Sequence, residues 1–198
     1  MLINHGWTNT RAEGHWQRIA AAALRNAGHQ VFYPQFPNTQ QPVFAEWSEL
    51  LRAELAILLE TREGSADPNY EVVLISHSLG CVNFLKNAQL GLLPHIDRAL
   101  LVAPPAPEKF SSLEGFEFDP SEPSVRIGLK ATAGSVTLIG SDSDVWSPAG
   151  VQATYGDPLG LQAQVIAGAG HFTINDGWGP WGGLLNWVED SSAELHQR

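Results

Sequence analysis

The chain of 198 residues has little cysteine, few basic residues and no long apolar run. Its single cysteine, Cys81, excludes an internal disulfide and a structural zinc site built from several thiolates. Only 11 basic residues stand against 21 acidic ones, which argues against nucleic acid or an anionic membrane surface as the main partner. No apolar stretch approaches the roughly 20 residues that span a bilayer, and MLINHGWTNTR lacks a signal-peptide pattern. We therefore expect a cytoplasmic protein.

Short apolar runs alternate with longer segments of helical periodicity, and no stretch between them is typical of a linker. This organisation predicts a single domain over residues 1–198. Apolar runs without alternation are typical of strands buried on both faces of a parallel sheet. Strands are predicted at 2–5, 30–36, 71–77, 98–104, 135–141 and 163–170. Helices are predicted at 13–27, 43–60 and 79–89, with shorter ones near 148–155 and 181–196.

This alternation predicts an α/β fold with three layers: a mostly parallel sheet of about six strands with helices on both faces. Residues 104–134 depart from the pattern because prolines and the phenylalanines Phe110, Phe116 and Phe118 are concentrated there. Two interpretations of this segment stay open, a minimal lid over a pocket and an ordinary packed connection.

The peptide LISHSLGCV, residues 74–82, lies where a predicted strand meets a predicted helix. Its centre, SHSLG, is a variant of the nucleophile elbow G-x-S-x-G. Because the elbow brings strand and helix backbones close together, the residues two before and two after the nucleophile must be small. Gly80 meets this condition, and Ser76 replaces the first glycine by another small residue. Ser78 is therefore the predicted nucleophile.

Partners for this serine follow in the order serine, acid, histidine that the elbow requires. Asp142 and Asp144 follow the predicted strand 135–141, and His171 follows the last predicted strand. The carboxyl ends of parallel strands share one edge of the sheet, where ligands bind. A neutral imidazole there can take the hydroxyl proton of Ser78, and a buried carboxylate can fix the imidazole tautomer. On the residues alone, either aspartate could supply the carboxylate.

An oxyanion hole is also required, since losing one donor typically costs about 100- to 1000-fold in turnover. The backbone N–H of Leu79, next to the nucleophile, is predicted to be one donor. The backbone N–H of Trp7 is predicted to be the other, because Gly6 lets the chain turn after the first strand.

Several nearby residues have structural interpretations as well as functional ones. Ser78 could be an ordinary helix cap. Cys81 is expected to be a buried core residue rather than a nucleophile. His77 is expected to pack or to form a hydrogen bond beside the elbow. His5 could line the pocket or form a structural hydrogen bond.

Four tryptophans are candidates for the pocket wall. Trp7 and Trp146 follow strand ends and are expected to line the pocket. Trp178 and Trp181 lie just beyond His171 and could pack beneath its loop or wall the pocket, with packing favoured. No spaced set of histidines and carboxylates indicates a metal site, and no cofactor is expected.

These motifs resemble the α/β-hydrolase superfamily and, within it, the small serine hydrolases of the retinoblastoma-binding protein 9 type. The resemblance runs nearly end to end, through HGWTNTRAEGHWQ, YPQFPNTQQPVFAEW, SHSLG, SDSDVWSP and, most specifically, GAGHFTINDGWGPWGGLLNW. It implies a catalytic triad of Ser78, Asp144 and His171, with Asp144 preferred to Asp142 because a proline follows it within a few residues. Ser76 is the departure from the family pattern.

The expected activity is that of a metal-independent serine hydrolase that cleaves small carboxylic esters through an acyl-enzyme. Two alternatives stay open. One is an amidase or peptidase that uses the same triad. The other is a catalytically silent or weak hydrolase-fold protein that acts as a binding module, since a fold alone does not establish function. The expected partner is a small ester or amide.

Overall fold

The computed structural model describes residues 1–67 and 69–197, and its centre is a parallel sheet of five strands. The strands lie in sequential order across the sheet. They are β1 (Leu2–Asn4), β2 (Val73–His77), β3 (Ile96–Val102), β4 (Ala133–Ser141) and β5 (Ala163–Ile166). The predicted α/β fold with a parallel sheet is confirmed, with one strand fewer than expected.

The missing strand is the run predicted at 30–36. It forms a single bridge beside β1, in which the N–H of Phe32 donates to Met1 O and the N–H of Ile3 donates to Phe32 O, both at 2.9 Å. Pro34 lies two residues after Phe32 and has no N–H with which to continue the ladder. This run therefore contacts the edge of the sheet without becoming a strand.

Six α-helices and one π-helical segment connect and flank these strands in the described residues. They are α1 (Trp16–Asn26), α2 (Phe44–Glu63), α3 (Leu79–Gln89), α4 (Pro123–Thr132), a π-helical segment (Gln152–Gly156) that runs into α5 (Asp157–Leu159), and α6 (Gly182–Glu189). The first helix begins later than predicted because His15 caps it, with Nδ1 accepting the N–H of Gln17 at 3.2 Å.

The segment 104–134 is mainly a packed connection. It contains α4, which was not predicted, with Pro123 in the first turn, where a missing N–H is tolerated. Its three phenylalanines are buried in the core. Only the start of the segment, around Phe110, borders the cavity described below.

Two hydrophobic cores lie on opposite faces of the sheet, because successive side chains of a strand point to opposite faces. In β2, Leu74 belongs to the core shared with α2, α3 and α4, and Ile75 belongs to the core shared with α1 and α6. Segment 30–36 lies on one side of β1 and β2 lies on the other. The chain thus reverses its direction across the sheet at β1, and such a reversal opens a crevice at the carboxyl ends of the strands.

Candidate active site

Ser78 occupies the tight turn between β2 and α3. Its φ of 53° and ψ of -127° lie outside the regions that residues with a Cβ normally adopt. Two backbone hydrogen bonds hold it there: its N–H donates to Val102 O at 2.9 Å, and its carbonyl accepts the N–H of Cys81 at 2.8 Å. The strained conformation is typical of a functional residue whose surroundings fix it.

Two glycines allow the backbones to approach at this turn. A Cβ on Gly80 would lie 2.7 Å from the carbonyl oxygens of Asn4 and His5, and a Cβ on Gly6 would lie 2.7 Å from Ser78 Cβ. Both distances are shorter than real Cβ contacts. Glycine is therefore required at these two positions.

Ser76 fits where the elbow usually has glycine. Its side chain is fully buried, and its Oγ lies 3.4 Å from the Asn4 amide, which also donates to Gly80 O at 2.7 Å. The extra hydroxyl thus adds a contact between β1 and the elbow instead of a clash.

The structure brings Ser78, His171 and Asp144 into one chain of hydrogen bonds. His171 Nε2 lies 2.8 Å from Ser78 Oγ, and His171 Nδ1 lies 2.8 Å and 3.0 Å from the two carboxylate oxygens of Asp144. The Asp144 side chain is 1% exposed, and its Oδ1 also accepts the N–H of Trp146 at 2.9 Å. Since a carboxylate can only accept, Nδ1 of a neutral His171 carries the proton and Nε2 is free to accept one from Ser78.

Asp142, the alternative acid, does not contact the imidazole. It is exposed, and its Oδ1 accepts the backbone N–H of Gly168 at 2.8 Å. This bond belongs to a set that joins the acid loop (residues 141–147) to the histidine loop (residues 167–173). The side chains of Ser141 and Ser143 accept the next two N–H groups of the histidine loop at 2.9 and 3.1 Å. The two loops that carry the acid and the base are therefore bonded directly to each other.

A cavity of about 640 Å³ opens over Ser78 and His171. Its apolar wall includes Trp7 and Trp146, as expected, whose rings meet edge to face with centroids 6.1 Å apart. The Trp146 ring also lies 5.6 Å from the His171 ring and is 36% exposed. Among the cavity residues, hydroxyl and amide side chains follow Trp7 along the chain, beginning with Thr8.

The two predicted oxyanion donors follow Gly6 and Ser78, two residues that approach each other closely at the elbow. A Cβ on Gly6 would lie 3.2 Å from Ser78 Oγ, so the chain that leads into Trp7 passes close to the nucleophile. Leu79 is the first residue of α3, where N–H groups lack partners within the helix. In the backbone bonding of residues 1–67 and 69–197, neither the Trp7 N–H nor the Leu79 N–H has an acceptor.

A family model described as serine hydrolase matches residues 1–189. The chain belongs to the serine hydrolase family. No curated protein sequence matches it in the comparison made.

Solved structures similar to this serine hydrolase share its fold. The ydeN gene product of B. subtilis is 20% identical with a TM-score of 0.74, and 95% of each chain is covered. A putative YdeN-like hydrolase from Pectobacterium atrosepticum is 22% identical with a TM-score of 0.70, covering 96% of this chain and 89% of that one. Est1E from Butyrivibrio proteoclasticus is 17% identical with a TM-score of 0.56, covering 87% and 79%. These likenesses establish an α/β-hydrolase-like fold.

Three of the predicted pocket residues of this serine hydrolase do not line the cavity. His5 is buried: its Nδ1–H donates to Gly6 O at 2.9 Å, and its Nε2 accepts the N–H of Phe36 at 2.9 Å. Trp178 and Trp181 are buried under the histidine loop. They lie outside the cavity because the bulky Phe172 side chain points away from it and packs on both rings.

Most of the side chains that hold the backbone of the histidine loop were not predicted from the sequence; only a hydrogen bond from His77 beside the elbow was expected. Asp176 Oδ2 accepts the N–H of His171 at 3.0 Å. His77 Nε2 lies 2.9 Å from His171 O, and Trp16 Nε1 donates to Phe172 O at 2.9 Å. The spacing of Thr173 and Asp176 matches the capping box S/T-x-x-D/E, a sequence signal that could have identified the aspartate.

Burial decides the protonation of two groups near the nucleophile. It lowers the pKa of His77 well below its ordinary value, so the neutral ring donates from Nε2 to His171 O. Burial raises the pKa of the Cys81 thiol, whose Sγ lies 3.5 Å from Val102 O. A thiol held in its protonated form is a poor nucleophile, so Cys81 is a core residue, as expected.

Among residues 1–67 and 69–197, no group of three or more His, Cys, Asp or Glu side chains could hold a metal ion. No helix in the same residues is long and apolar enough to cross a membrane.

Proposed function

We propose that this serine hydrolase cleaves small carboxylic esters through an acyl-enzyme, with Ser78 as nucleophile, His171 as general base and acid, and Asp144 as the triad carboxylate. The observation that carries the proposal is the unbroken chain from Ser78 Oγ through His171 to Asp144, with both links at 2.8 Å. That spacing is within the reach required for proton transfer.

In the acylation step, Ser78 Oγ attacks the ester carbonyl carbon while its proton moves to His171 Nε2. The carbonyl oxygen takes up negative charge and accepts hydrogen bonds from the N–H groups of Trp7 and Leu79. Collapse of this intermediate breaks the bond to the leaving alcohol, which takes the proton from His171. Asp144 stabilises the imidazolium while it exists.

In deacylation, His171 removes a proton from water as the water oxygen attacks the acyl carbonyl. The second tetrahedral intermediate then releases the carboxylic acid, and Ser78 Oγ recovers its proton from His171. The N–H groups of Trp7 and Leu79 donate hydrogen bonds to the second oxyanion as they do to the first.

The cavity supports esters with a small or medium apolar group. Its volume of about 640 Å³ lies within the range typical of small-molecule sites. The partly exposed Trp146 ring and the Trp7 ring offer a surface for such a group, with Trp146 beside the imidazole.

A fluorophosphonate probe tests the proposal. We expect it to label the wild-type protein at Ser78 and to fail with Ser78→Ala, because the hydroxyl oxygen forms the new bond to phosphorus. Ser76→Ala is the matched control and should still react, since Ser76 is buried beneath the elbow. A folded wild type that neither reacts nor hydrolyses p-nitrophenyl acetate or butyrate would favour a binding protein on the same fold.

The amidase or peptidase alternative uses the same triad. Comparing rates on an ester and an amide with the same acyl group separates it from esterase action, and faster amide cleavage would replace our proposal. The closer kinship to the retinoblastoma-binding protein 9 type and a cytoplasmic location remain part of the proposal, and the sequence motifs support the kinship.

A further inference from the structure

The histidine loop holds His171 through its backbone as well as through its imidazole. Every N–H and carbonyl group of residues 171–173 has a partner, and two of the three N–H groups share Asp176 Oδ2. The bonds are His171 N–H and Thr173 N–H to Asp176 at 3.0 Å, His171 O with His77 at 2.9 Å, Phe172 N–H to Ala169 O at 3.4 Å, Phe172 O from Trp16 at 2.9 Å, and Thr173 O from the N–H groups of Asp176 and Trp178 at 3.1 and 3.0 Å.

One carboxylate oxygen of Asp176 accepts hydrogen bonds from three donors. Besides the two backbone N–H groups, Oδ2 accepts the hydroxyl of Thr173 at 2.7 Å. The other oxygen, Oδ1, occupies the space that a Cβ would need at Gly170, so the carboxylate lies directly against the loop. Hydrogen bonds to an ionised acceptor are stronger than those between neutral groups.

The loop needs this support because its backbone is strained next to the imidazole. Phe172 has a φ of 57°, in the left-handed region that a bulky residue rarely adopts. Such a conformation persists only where the surroundings fix it. Asp176 binds the residues on both sides of Phe172, so it fixes the strained position from its two neighbours.

We infer that Asp176 is a positioning residue that sets the place of the His171 backbone, and through it the reach of the imidazole to both Ser78 and Asp144. This inference rests on the proposed function. The backbone N–H of His171 is one peptide bond from the Cα that carries the imidazole. A shift of that Cα would lengthen the 2.8 Å contact to Ser78 Oγ, and a misplacement of about 1 Å can cost about 100-fold in rate.

The first test is Asp176→Ala, which removes the acceptor from all three donors. We expect kcat on p-nitrophenyl acetate to fall about 100-fold while KM changes less than about 3-fold, because the aromatic wall of Trp7 and Trp146 is untouched, although Asp176 itself borders the cavity. The rate of fluorophosphonate labelling of Ser78 should fall in parallel. A folded variant with kcat within about 2-fold of wild type would overturn the inference.

Asp176→Asn keeps the test decisive if the alanine variant does not fold. Its amide oxygen can accept the same three donors without the charge, so we expect an intermediate loss of about 10-fold. If the alanine variant does not fold, a folded asparagine variant with kcat within about 2-fold of wild type contradicts the role. Asp142→Ala is the matched control, because Asp142 accepts only the Gly168 N–H of the same loop. It should retain kcat within about 2-fold of wild type.

A readout that needs no turnover separates this inference from the proposed function. The proton between His171 Nδ1 and Asp144 gives a low-field NMR resonance, which we expect to shift or broaden in Asp176→Ala and to stay unchanged in Asp142→Ala. An inactive wild type in which the Asp176 variant still moves this resonance would overturn only the proposed function. A resonance that is the same in the wild type and in Asp176→Ala would overturn the positioning role.

Discussion

Acid is expected to destabilise the fold through two buried histidines close to the active site. Burial lowers the pKa of His5 and of His15 from 6.5 to about 4. In each ring one nitrogen accepts a backbone N–H, from Phe36 at 2.9 Å and from Gln17 at 3.2 Å. Protonation turns that nitrogen into a donor and breaks the bond.

The sign and size of the effect follow from the pKa difference. Between pH 6.5 and 4 the unfolded chain binds more protons than the folded one, so stability is complete above pH 6.5 and is lost as the pH falls through this window. Each histidine then lowers the free energy of unfolding by about 2 kcal/mol between pH 7 and pH 5. The two together remove about 4 kcal/mol, a large part of the roughly 5–15 kcal/mol of a typical domain. The lowered pKa of His77 acts in the same direction.

The assay is urea denaturation followed by circular dichroism at pH 7 and pH 5, on the wild type and on His15→Asn. Asparagine is a good N-cap, so it replaces the acceptor for the Gln17 N–H without a titrating ring. We expect the variant to lose about 2 kcal/mol less than the wild type over this interval. His196→Asn is the control, since that side chain is 59% exposed. A wild-type free energy that is constant from pH 7 to 5, or a His15→Asn variant with the full wild-type loss, would refute the reasoning.

The other predictions concern the elbow and the cavity wall. Gly80→Ala should destabilise the fold by about 1–3 kcal/mol, because its Cβ would meet backbone oxygens of Asn4 and His5. Ser76→Gly should leave the melting temperature within a few degrees of wild type. Thermal denaturation measures both variants, and a Gly80→Ala variant as stable as the wild type would contradict the steric argument. Trp146→Ala should raise KM for p-nitrophenyl butyrate up to about 10-fold, and Trp146→Phe should retain most of the affinity. Equal KM values in the wild type and both variants would exclude the ring as a binding surface.

The sequence predicted the fold well where strands are buried on both faces. β2, β3 and β4 were anticipated because their uninterrupted apolar runs leave few alternatives. The run 30–36 is apolar like those of β2, β3 and β4. It forms only a single bridge because it lies beside the short strand β1 and contains a proline. Helix α4 was not predicted because prolines precede and begin it. Sequence alone does not distinguish a proline in the first turn of a helix from a proline in a loop.

The reactive groups of the site were predictable from the sequence, but most of the contacts that hold them in place were not. Ser78, Asp144 and His171 each follow a strand, and strand ends share an edge in any parallel sheet. The contacts of His77 and Trp16 with the histidine loop join residues 94 and 156 positions apart, which no local pattern encodes. The inward turn of His5 likewise depends on an N–H from a distant residue.

The three hydrogen bonds that join the acid loop to the histidine loop make the acid and the base one mechanical unit. Losing the Asp142 bond alone leaves the Ser141 and Ser143 bonds in place, but changes that remove several of the three bonds would disturb proton transfer together with recognition. Residues 7–10 and 105–110 border the same cavity from outside that unit. Libraries that vary those two segments could reshape the entrance while the proton-transfer machinery keeps its alignment.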